Sequence, residues 1–254
     1  MSSPATNTFN EPSNLSGRQL VAKVVIGLAI GGIIAALLFV VMSFVGTMFT
    51  SAFGQQSQEV ASANPLLPII LLFIGFLSTF IGNIAVAGAY SLFYSKKYYD
   101  ISKTLGLLFL TNGILFFILA PIYLIFAGHI EILFIVLGFH VVFSVFISAC
   151  QIEFTANPNY AWSALMGNVL WFAFALLMYG LMYKSSLSSG PEQKIYVFML
   201  LPSILAYGLI PFGAGIWEKI YYKAYELGNN GFYLPSPGEQ SEEATTADDE
   251  INVE

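Results

Sequence analysis

Between Val24 and Ile216 six stretches of about twenty apolar residues follow one another, and none of them contains an Asp, Glu, Lys or Arg. At a rise of about 1.5 Å per residue, twenty residues cover the roughly 30 Å hydrocarbon layer of a bilayer. Segments of that length satisfy their own backbone polar groups there as helices. The expected fold is an all-α membrane protein, a bundle of six transmembrane helices that forms one domain.

Composition agrees with that solvent. The 254 residues are 57% hydrophobic and 9% charged, against about 25% charged in an ordinary soluble domain. The net charge of -6 describes a tail rather than a surface, because seven of the fifteen acids fall within Glu239 to Glu254. One cysteine, Cys150, has no intramolecular disulfide partner, so it says nothing about redox compartment. The first apolar run exceeds the core of a cleavable signal and reads as a retained anchor.

The expected spans are Val24–Val45, Ile69–Leu92, Leu105–Phe126, Ile132–Cys150, Ala161–Tyr183 and Ile195–Ile216. Breakers separate them: Asn64-Pro65 with Pro68, Gly128, Asn157-Pro158 and Gly190-Pro191. Pro121, Pro202 and Pro211 lie inside spans, where each removes a helix hydrogen bond and bends its helix. Residues 1–17 carry Ser, Pro, Asn and Thr with no apolar period, which predicts a disordered N-terminal segment. Residues 18–228 form the transmembrane domain, including a short interfacial helix over 217–227 that stops at Gly228-Asn229-Asn230-Gly231. Residues 229–254 are expected to be a disordered acidic tail, held off an anionic leaflet by repulsion.

Orientation follows from the basic residues. With the N-terminus inside, Arg18, Lys23, Lys96, Lys97, Lys103, Lys219 and Lys223 lie on the cytoplasmic side and only Lys184 and Lys194 outside. That bias places both termini in the cytoplasm, in a plasma or inner membrane. Tyr90, Tyr94, Tyr98 and Tyr99 at one inner boundary, and Trp217, Tyr221, Tyr222 and Tyr225 at another, read as interfacial belts. Lys96-Lys97-Tyr98-Tyr99 echoes Lys219-Ile220-Tyr221-Tyr222, but their flanks do not align, so the shared chemistry of an interface explains the likeness.

Few polar side chains fall inside the spans. Asn83, Asn112, Ser144 and Asn168 lie two to four residues to the cytoplasmic side of their span midpoints, roughly 4–6 Å below the bilayer centre. Amides and hydroxyls at one depth are costly in lipid, so this candidate polar layer should face the bundle interior. It serves either interhelical hydrogen bonding or a polar passage. Two rows of small residues mark candidate packing faces: Gly27, Gly31 and Ala35 on the first span, and Gly75, Thr79 and Ala87, in line with Asn83, on the second. They pack within the chain or against a partner.

His140 stands near the centre of the fourth span, a candidate midplane residue. Metal ligation needs further ligands, and the other histidine, His129, lies at the outer edge. A neutral imidazole bonded to a neighbouring helix, with Ser144 one turn along, is the simpler role. Glu131 favours the positive end of the fourth helix. Glu153 is either solvated or a contact for Lys96, Lys97 or Lys103.

An intramembrane enzyme finds little support. No His-Glu-x-x-His set is present, the spans contain no aspartate, and Ser188-Ser189-Gly190 lacks the glycine of a serine-protease turn. No cofactor and no catalytic or metal site is expected, and nucleic acid is not a partner. Two readings remain. One is a non-catalytic membrane subunit, scaffold or assembly factor holding a membrane or cytoplasmic partner through the small-residue rows or the acidic tail. The other is a channel or uncoupled transporter for a small solute using the polar layer.

Overall fold

The structure is a computed structural model that describes residues 17–53, 66–92, 100–156, 161–186, 201–213, 215–217, 219–220 and 223. All of its described elements are helices: α1 Gly17–Phe53, α2 Leu66–Tyr90, α3 Ile101–Ile125, α4 Ile130–Ala156, α5 Ala161–Ser186 and a shorter α6, Leu201–Trp217. The first five are long and apolar enough to cross a membrane. The expected start of the sixth span, residues 195–200, lies outside the described residues. So do the N-terminal segment 1–16, the acidic tail, most of the interfacial helix, and Lys96, Lys97, Tyr94, Tyr98 and Tyr99.

Helix ends differ from the apolar runs for local reasons. A hydropathy run stops at a charge, whereas a helix stops only where its backbone is capped or broken. α1 therefore begins at Gly17, seven residues before the expected span, and takes Arg18 and Lys23 into the helix. α4 runs past Cys150 to Ala156, because no breaker precedes Asn157-Pro158 and only the residue before a proline is pushed out of helical geometry. Gln151 and Glu153 thus belong to its last turns. α3 starts early at Ile101 because the Asp100 carboxylate accepts from the Ser102 and Lys103 amides at 2.9 and 3.2 Å, a standard helix N-cap.

α2 and α4 form the middle of the bundle. α2 packs on α1, α3 and α4, and α4 packs on α3 and α5 as well. Successive helices run in opposite directions: the start of α1 and the ends of α2 and α4 meet at Lys23, Tyr90 and Glu153, and Thr104 at the start of α3 bonds Thr155 at the end of α4 at 3.0 Å. α6 lies antiparallel to α1, with Gly31 against Ser203, Gly27 against Tyr207 and Gly215 against Leu20. The outside is apolar: Phe109, Phe117 and Ile125 on α3 are 64%, 75% and 73% exposed. Water would penalise such a surface, and hydrocarbon does not.

Candidate functional site: a buried polar column

A row of buried polar side chains descends α4 from His140 through Ser144 and Ser148 to Glu153. Thirteen rises of about 1.5 Å along the helix make it about 20 Å long. Each member meets different neighbours.

At the top, the His140 imidazole fits against Gly75 of α2, where an added Cβ would stand 2.8 Å from Nδ1. Nδ1 shares a 3.3 Å hydrogen bond with the Tyr123 hydroxyl of α3, and the two rings meet edge to face. Its polar companion is therefore Tyr123 rather than Ser144. No group of three or more His, Cys, Asp or Glu able to hold a metal gathers among the described residues.

One turn lower, three helices close a triangle. Asn83 Nδ2 donates to Ser144 Oγ at 3.0 Å and to Asn112 Oδ1 at 3.4 Å, and Ser144 Oγ donates to Asn112 Oδ1 at 2.6 Å. Asn112 Nδ2 donates to the Leu108 carbonyl at 2.8 Å. From α6 the Tyr207 hydroxyl reaches Asn83 Oδ1 at 3.1 Å and the Thr79 carbonyl at 3.2 Å. Every polar heavy atom of Asn83, Asn112 and Ser144 thus has a protein partner. Such a closed set fixes the mutual rotation of α2, α3 and α4.

The small residues of α2 permit this approach. Gly75 receives His140, Thr79 folds its hydroxyl back onto the Gly75 carbonyl at 2.8 Å, and Ala87 is fully buried. On α1, Gly27 and Gly31 lie on the α6 backbone and Ala35 is buried. Pro211 has no N–H for the Tyr207 carbonyl, and it is this oxygen that an added Cβ at Gly27 would strike.

Asn168 does not join the triangle. Although fully buried, it has no hydrogen-bond partner on either amide atom, and its contact with the Cys150 thiol lacks hydrogen-bond geometry. Ser148 Oγ is likewise unpartnered. Both line a cavity of about 20 Å³ that also touches Asn83, Tyr207, Tyr90, Lys23 and Glu153. That space admits about one water, and unpaired buried amides are costly enough to hold it.

The column ends in an ion pair that the sequence reading did not anticipate. Lys23 Nζ and Glu153 Oε1 stand 3.5 Å apart with side chains 3% and 11% exposed. The ammonium also lies over the Tyr90 ring, 5.3 Å from its centroid, and the Tyr90 hydroxyl donates to the Lys23 carbonyl at 3.3 Å. Position at the edge of an apolar run predicts water around Lys23, and for Glu153 either water or a contact with Lys96, Lys97 or Lys103; the structure pairs the two with each other instead. Beside the column, Gln151 bonds Thr111 and the Leu107 carbonyl, which ties α4 to α3.

Fold and site together define, among the described residues, an all-helical bundle with a polar core and five helices long and apolar enough to cross a membrane. No family model, curated protein or solved structure matches the chain.

Proposed function

We propose that the chain is an integral membrane protein of six spans, with both termini cytoplasmic, that works as a non-catalytic subunit, scaffold or assembly factor. The observation that carries this reading is the closed Asn83–Asn112–Ser144 triangle, in which each side-chain polar heavy atom has a protein partner. A polar set satisfied by itself holds helices in register and does not need a substrate. Partner binding falls to the surfaces and to the acidic tail. Full-length protein and a variant lacking Glu239 to Glu254, isolated in mild detergent, are expected to insert alike while the truncated form loses a cytoplasmic partner, a loss reproduced by high salt. Identical partners for both forms would remove the tail from the proposal, and labelling of the tail from outside intact cells would reverse the orientation.

A second reading, passage of a small solute, is favoured by the unpaired Ser148 and Asn168 around the cavity. On it, vesicles carrying the protein swell in glycerol or urea faster than empty vesicles, and Asn168→Leu slows them. Swelling at the empty-vesicle rate would leave the cavity as the seat of one structural water.

A further inference from the structure

An open groove of about 340 Å³ runs between α5 and α6 on the outside of the bundle, lined by Leu170, Trp171, Phe174, Ile216, Trp217 and Ile220. Its volume is in the range of small-molecule sites, about 300–1,000 Å³. Two glycines build it. Gly167 of α5 leaves room for Trp217 of α6, where an added Cβ would stand 2.8 Å from the tryptophan Cβ, and Gly213 of α6 leaves room for the Trp171 indole of α5. Each helix thus carries a glycine and, four residues on, a tryptophan seated on the other helix's glycine. Trp171 is held further by edge contacts with Phe174 and Phe212, at 5.5 and 6.0 Å between centroids.

Both ends of the groove have a distinct chemistry. In one direction Leu170, Phe174, Leu177 and Leu181 continue along α5 at helical spacing, 52%, 41%, 57% and 54% exposed. By the register of the Gly167–Trp217 and Gly213–Trp171 contacts Lys219 lies level with Leu165 of α5, so the groove from there to Phe174 is about 14 Å long, close to the depth of one leaflet, roughly half of a 30 Å hydrocarbon layer. In the other direction Ile216 and Ile220 are followed on the same face by Lys223, with Lys219 beside them, and both lysines are exposed. An apolar groove of that depth, running from Phe174 to two ammonium groups, matches a lipid with hydrocarbon at one end and negative charge at the other. We infer that this groove binds an anionic phospholipid, one acyl chain lying over Trp217 and Trp171 toward Phe174, the phosphate at Lys219 and Lys223. The site rests on membrane insertion and not on the scaffold role.

The chain has three tryptophans, so Trp162→Phe leaves the two groove indoles as the fluorophores. In phosphatidylcholine vesicles containing small fractions of dibrominated phosphatidylglycerol or dibrominated phosphatidylcholine, half-maximal quenching is expected at a mole fraction about five-fold or more lower for the anionic lipid, the preference one lysine near the charge supplies. Lys219→Gln with Lys223→Gln should bring the two curves together. Lys219→Arg with Lys223→Arg should keep them apart, which retains the comparison if the glutamine form does not fold. Coincident curves in the parent protein would overturn the site, whereas no quenching by either lipid would overturn membrane insertion instead.

Discussion

Lys23→Met is expected to destabilise the bundle by about 3–5 kcal/mol, the cost of leaving one member of a buried ion pair without its partner. Glu153→Leu should cost a similar amount, since each removes the same 3.5 Å contact from the same buried end of the column. The double variant is expected to recover most of the loss, because two apolar side chains of comparable size need no mutual neutralisation. Unfolding of the four proteins in mixed detergent–SDS micelles closes a double-mutant cycle and isolates the coupling. Single variants that each cost less than about 1 kcal/mol would show the pair to behave like a solvated surface contact.

The second large effect is steric. At Gly27 an added side chain meets the Tyr207 carbonyl oxygen, which belongs to backbone and cannot swing aside. Gly27→Val is expected to force α1 from α6 and to cost about 1–3 kcal/mol or more. Gly32 sits one turn away on α1 with open space around its Cα, so Gly32→Val should stay within about 0.5 kcal/mol of the parent. Equal effects at the two glycines would mean that helix propensity, not the seam with α6, decides the outcome.

How much of this was legible beforehand depends on which coordinate a residue's role requires. The long helices follow from apolar length, which is a property of consecutive residues. The common level at which Asn83, Asn112 and Ser144 meet also follows from counting along each span. Rotation about the helix axis does not, and it is rotation that puts Asn168 beside Cys150 while the other three meet. Tyr123 and Tyr207 escaped notice because an aromatic ring inside an apolar run reads as hydrophobic, although each ends in a hydroxyl that reaches a partner. Lys23 and Glu153 escaped for the opposite reason: a charge at the edge of a run reads as the beginning of water. The signal available was their helical continuity, Gly17 to Val24 and Cys150 to Ala156 being free of breakers.

The triangle also imposes a schedule on biogenesis. Asn83 and Asn112 belong to α2 and α3, which leave the ribosome together and are able to pair as a hairpin, but the Ser144 hydroxyl arrives only with α4 and the Tyr207 hydroxyl only with α6. Until that last helix docks, Asn83 Oδ1 lacks its donor in a medium that offers none. On the proposed membrane reading, a nascent chain that still lacks α6 therefore carries an unmet demand that α6 answers. Loss of that segment would expose to membrane quality control an amide which the finished protein conceals.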